Sequence, residues 1–80
     1  MLEGKELEMY NAQGKIVRIT CKDGDVLEGY CSEFSTAYDN DEPEEASITL
    51  ERGKRVKTGK ALYPLTEVFE SKIERIEHLN

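Results

Sequence analysis

Tryptophan is missing from these 80 residues, which hold only two cysteines, one histidine and two prolines. Each shortage closes a route. Structural zinc takes four cysteine or histidine ligands, commonly in close pairs, and Cys21, Cys31 and His78 cannot supply them, so no metal or cofactor is expected. Two cysteines without an apolar leader do not describe a secreted disulfide scaffold. No apolar run approaches the roughly 20 residues that cross a bilayer, so the expectation is a soluble, cytoplasmic chain with no membrane partner. Positive charge is also in short supply. Eleven basic against seventeen acidic residues leave a net charge of −6, which repels phosphate backbones in general but leaves room for a locally basic site. Size is the last shortage. So short a chain, read as one domain over 1–80, buries only about 60% of its unfolded surface and usually needs support. With disulfides and metals set aside, association with further copies is the expected source.

What is present is patterned. Residues 1–13 place Leu2, Leu7, Met9 and Tyr10 among charges. Leu7 and Tyr10, three apart, predict a short amphipathic helix capped near Gly14 that covers an open end of whatever follows. From Lys15 the period becomes two, with Val17, Ile19 and Cys21 alternating with polar residues as in a half-buried strand. A second strand runs from Asp25 through Leu27, Gly29 and Cys31 to Phe34. A two-residue Asp-Gly turn would set the inward face of one strand beside the outward face of the next. A three-residue loop of Lys22, Asp23 and left-handed Gly24 instead pairs Ile19 with Leu27 and Cys21 with Asp25, which keeps the apolar faces together. That register sets Val17 opposite Gly29, a glycine placed for a sharp bend, and Cys31 opposite Lys15. The two cysteines then stand about 20 Å apart, too far for a bridge.

Ser35 to Ala46 is polar and acidic around Pro43, and reads as a solvated loop; it has no glycine for the tight turn of a calcium site. Ser47 to Glu51 alternates again through Ile48 and Leu50. Residues 52–60 then gather Arg52, Lys54, Arg55, Lys57 and Lys60 with two glycines and no acid, a basic loop without phosphate-loop spacing. The last twenty residues allow two readings. Phe69, Ile73 and Ile76 have helical spacing, with Ser71 and Glu74 as a capping box. Alternatively, strands over Thr66–Glu70 and Ile73–Leu79 flank a tight turn near Ser71 and Lys72, with Pro64 ahead of the paired region.

Val17, Ile19, Cys21, Asp23, Gly24, Leu27, Gly29, Cys31 and Phe34, followed by Tyr38 and Asp39, fall without a gap on the first motif of the Sm-like family, which the chain resembles. Ile48 and Leu50 resemble the third strand of that family after a loop insertion. The resemblance implies a mostly β fold: a short helix over 1–13, then a five-stranded, strongly bent antiparallel SH3-like barrel over 15–80, with the strand reading for the C-terminal twenty residues. It implies a homo-oligomeric ring closed edge to edge, with Thr66, Val68 and Glu70 on one candidate edge and Ile73 and Arg75 on the other. It also implies single-stranded RNA as partner, with Tyr38 stacking on a base and Asp39 and Asn40 beside it. Against the family pattern, Ser35 stands for an acid and Asp39 for an asparagine, while Phe69-Glu70-Ser71-Lys72 stands where an Arg-Gly is usual. Glutamate offers neither the donor fork nor the planar cation of arginine, so the uridine pocket is expected to be degenerate. Arg52, Lys54, Arg55 and Lys57 become the candidate phosphate contacts, weak and salt-dependent. The alternative is a protein-interaction scaffold, its acidic and basic loops attracting partners of opposite charge. No catalytic site is expected: both cysteines face inward, His78 sits at a polar terminus, and no carboxylate pair has an apolar setting.

Overall fold

The computed structural model describes residues 4–36, 45–62 and 64–79. Helix α1 (Gly4–Asn11) leads into β1 (Lys15–Cys21) and β2 (Val26–Ser35), followed by β3 (Ser47–Arg55), β4 (Leu65–Phe69) and β5 (Ile73–His78). The five strands form one antiparallel sheet in the order β4-β3-β2-β1-β5. Val17, Ile19, Cys31, Ile48, Leu50 and Ile73 are fully buried on its concave face.

The helix ends ahead of Gly14 as the sequence implies, but its inward face is different. Leu7 and Tyr10 are 40% and 49% exposed, whereas Met9 and Ala12 are buried. Two i,i+3 pairs compete in a helix of barely two turns, and the barrel accepts the slimmer one. Tyr10 instead meets Phe34 edge to face, with ring centroids 5.7 Å apart, a favoured aromatic geometry. The Gly14 N–H donates to the Cys31 carbonyl at 2.8 Å, and the Lys5 ammonium donates to the Ile73 carbonyl.

The first hairpin follows the expected register, with Ile19 opposite Leu27, Val17 opposite Gly29 and Lys15 opposite Cys31. Gly24 closes the loop at φ +94°, where a side chain would be strained. Asp23 Oδ1 accepts the Asp25 N–H at 2.9 Å.

Three irregularities then bend the sheet. In β2, Cys31 faces Leu50 and Phe34 faces Ile48, with Ser32 as the extra residue. In β5, Ile73 and Ile76 both turn inward, opposite Cys21 and Ile19, because Glu74 is extra. The helical reading of the last twenty residues is therefore overturned: a 3-10 turn at Glu70–Lys72 separates two strands. The i,i+3 spacing that suggested a helix is that of a bulged strand.

The third irregularity also corrects the reading of 52–60 as a loop. Strand β3 continues past Glu51 to Arg55, with Arg52 and Gly53 together opposite Gly29. A Cβ on Gly29 would lie 2.9 Å from the Gly53 Cα and 3.2 Å from the Glu51 carbonyl oxygen. Only a hydrogen fits there.

Gly29→Ala is therefore expected to lower the unfolding free energy by about 1–3 kcal/mol, as overpacking against backbone does. Gly53→Ala should cost less, because its closest clash, at 3.0 Å, is the mobile tip of Leu62. Urea denaturation of the two variants checks the order, and an unchanged midpoint for Gly29→Ala would contradict the close approach.

Candidate functional site

Five of the eleven basic residues lie between 52 and 60, so the other six face all seventeen acids elsewhere. The structure builds this basic stretch as a hairpin. Lys54 bridges Ala61 across it, Arg55 N–H donates to the Lys60 carbonyl at 2.9 Å, and Leu62 N–H donates to the Gly53 carbonyl at 2.9 Å. Val56 N–H ties the tip to the Val26 carbonyl at 2.8 Å. Backbone bonds on both sides make the hairpin a defined platform rather than a floppy loop.

Its cations are not equivalent. Arg55 forms an ion pair with Asp25. Lys54 lies opposite Glu28, whose carboxylate also takes Arg18 at 3.0 Å. Arg52, Lys57 and Lys60 are exposed and form no ion pair among the described residues. Arg52 holds φ at +53°, a left-handed conformation that costs a non-glycine residue about 1–3 kcal/mol and persists only where surrounding structure enforces it. The enforcement is visible: Arg52 N–H donates to the Pro64 carbonyl at 3.2 Å, and the Gly29 crossing fixes its neighbour Gly53.

Tyr38, Asp39 and Asn40 lie outside the described residues. The Glu45 carboxylate accepts the Ser71 N–H at 2.9 Å. Hydrogen bonds from Ser71, side chain first and backbone second, hold the Glu45 carboxyl below its ordinary range. Glu70 N–H donates to the Ala46 carbonyl at 2.9 Å. The corner where the family pattern would carry an arginine is thus fastened to Glu45 and Ala46, and the charges at it are those of Glu45, Glu70 and Lys72. No feature of the sequence announces this contact between residues 26 apart.

Beside the corner, a cleft of about 370 Å³ opens over Cys21, Leu27 and Val68. Lys22, Arg55 and Lys72 line it, but so do Asp23 and Asp25, the latter paired with Arg55. The rim charges nearly cancel, so this cleft lacks the single sign that concentrates an ionic ligand.

The candidate oligomer edges are the two terminal strands of the sheet, β4 and β5. Val68 and Ile73 are buried in their own core, Thr66 and Glu70 are half-buried, and Arg75 is exposed. Val68 and Ile73 could contribute only backbone to an edge contact. Among the described residues, no cluster of histidine, cysteine, aspartate and glutamate is arranged to hold a metal, and no helix is long and apolar enough to cross a membrane.

No family model and no curated protein matches the sequence. Among solved structures, a novel Sm-like archaeal protein from Pyrobaculum aerophilum is similar over 92% of this chain, with a TM-score of 0.70 and 18% identity. This chain spans about half the length of that protein. The fold is Sm-like: one short helix and five bent antiparallel strands.

The buried thiols give this scaffold a pH signature. Burial pushes the Cys31 thiol from an ordinary 9.0 up to about 11, and burial likewise raises Cys21. The folded chain therefore keeps protons that the unfolded chain releases. Thiol-linked stability is complete below about pH 9 and falls as pH rises toward about 11. Unfolding free energies measured across that window should decline less steeply in Cys31→Ala than in the wild type. Equal slopes would show that Cys31 titrates as a solvated thiol.

Proposed function

We propose that the chain is a ring-forming RNA-binding module that grips single strands through phosphate contacts from the basic hairpin, without a uridine pocket. The observation that carries this reading is the hairpin itself. Arg52, Lys54, Arg55, Lys57 and Lys60 stand on a hydrogen-bonded platform, on a chain otherwise acidic enough to repel nucleic acid. Arg52 is held left-handed by the crossing of β2 and β3, so the fold itself fixes where the first cation of the hairpin stands. Arg52, Lys57 and Lys60 are the principal contacts, with Lys54 and Arg55 exchanging acidic neighbours for phosphate. Tyr38 serves as a stacking surface, a contribution of about 1–3 kcal/mol that does not depend on base identity. Asp39 and Glu70 occupy the places of the amide and the arginine in the family pattern, so little base preference is expected.

The two terminal strands of the sheet, β4 and β5, support the ring. Exposed strand edges are templates for pairing, and soluble proteins cover or blunt them. In this reading β4 of one copy pairs with β5 of the next and leaves the hairpins exposed. Light scattering at micromolar concentration should give a mass several times 9.1 kDa, and a monomer would remove the ring.

The RNA test is a titration of labelled U-rich and A-rich single strands at two salt concentrations. Binding should weaken steeply with salt because phosphate contacts release counterions, and the two sequences should differ little. Changing Arg52, Lys54, Arg55, Lys57 and Lys60 together to glutamine should abolish binding and leave the oligomer intact. Tyr38→Ala should weaken binding less. Tight U-selective binding that survives both salt and the glutamine changes would refute the reading. No binding at any salt would leave a protein-interaction scaffold in its place.

A further inference from the structure

The convex face of the sheet carries an apolar row that neither the core nor the basic hairpin explains. Leu65 lies opposite Glu51, Glu51 opposite Tyr30, and Tyr30 opposite Ile16. Leu79 N–H then donates to the Ile16 carbonyl at 2.8 Å. These residues form one line across the whole sheet, about 19 Å long at roughly 4.8 Å per strand. Leu65 is 64% exposed, Tyr30 and Leu79 are each 43%, and Ile16 is 42%. The other exposed large apolar residues described, Leu7 and Tyr10, are on the helix. Tyr30, Ile16 and Leu79 are direct neighbours and Leu65 lies beyond Glu51, and apolar residues gathered on one face mark an interaction surface more often than scattered ones do.

We propose that this row docks a basic, aliphatic peptide segment of another protein. The charges around the row select that occupant. Glu51 sits within it, and Glu33 and Glu67 flank it through Thr49, which pairs with both. On the other flank, Arg18 at 3.0 Å and Lys54 opposite it offset Glu28. Glu33, Glu51 and Glu67 form no ion pair among the described residues, and Glu67 accepts a hydrogen bond from the Ser47 hydroxyl at 2.7 Å. A second copy laid face to face would bring these carboxylates against their own kind. An RNA strand stacking on Tyr30 would bring phosphate against them. A segment of alternating aliphatic and lysine residues fills the row and places its ammonium groups beside the glutamates. About six extended residues span 19 Å.

The test titrates the full chain with three eight-residue peptides, followed by backbone amide chemical shifts. One alternates leucine and lysine, one replaces leucine by serine, and one replaces lysine by glutamate. The leucine-lysine peptide should move the amides of Ile16, Tyr30, Glu51 and Leu79. Each analogue should bind at least tenfold more weakly, as should the double variant Ile16→Ser, Tyr30→Ser toward the first peptide. Should that double variant unfold by circular dichroism, Glu51→Lys serves instead and should also lose tenfold. Equal binding of the serine analogue, or shifts confined to residues 39–45, would overturn the proposal as mere charge attraction. A mass that falls on introducing Glu51→Lys or the serine pair would assign the row to a second copy, and single-stranded RNA moving the Tyr30 amide would assign it to nucleic acid. Either result overturns it too.

Discussion

Strands β2 and β3 cross with the Gly29 side of one against the Gly53 backbone of the other, at a separation where a single methyl group would have to displace main chain. A flat five-stranded sheet of this length would expose one apolar face and bury little. The crossing lets the sheet curl, so that Leu27 and Cys31 on one arm reach the same core as Val68 and Ile73 on the others. It also demands an extra residue in β3, and that residue is Arg52, held left-handed. The geometry that closes the core therefore fixes the first cation of the basic hairpin. Fold and candidate site share one constraint.

The other bulges act in the same direction. At Ser32 and at Glu74 an added residue keeps apolar side chains inward across a bend, so Cys31 with Phe34 and Ile73 with Ile76 share a face at a spacing of three. Bulges raise local twist and bend the strand that carries them, and here they fall on both arms of the sheet. Met9 of helix α1 and Ala12 just beyond it then cover what the strands leave open. This leaves Tyr10 to pack against Phe34 from outside.

Charge is distributed with comparable economy. Cations gather on one hairpin, carboxylates dominate the rest, and only two of the hairpin's basic side chains face acids across the sheet. A phosphate chain would be attracted to a narrow region and repelled elsewhere, which favours a salt-sensitive grip with little sequence reading. The glutamates beside the convex row repel phosphate and favour cationic peptide chemistry, so the two surfaces suit partners of opposite charge. The corner at Glu70 adds negative charge at the place where the family pattern would stack an arginine.

By itself the sequence determined the first hairpin, because period-two alternation and one glycine turn permit a single register that keeps Val17, Ile19 and Leu27 on one side. It determined the inward place of both cysteines and the concentration of basic residues in 52–60, since these are properties of local order. It left the C-terminal twenty residues divided between helix and strands, because a bulged strand and a short helix both put apolar residues three apart. Only tertiary structure decided that division, by placing Ile73 against Cys21 and Ile76 against Ile19. It also decided which side of the helix is buried, how far β3 extends, that Glu45 fastens the β4–β5 corner, and that four scattered apolar residues form one row. Each of these rests on contacts between residues distant in the chain, whose free energy depends on how the sheet bends, and local pattern carries no record of that.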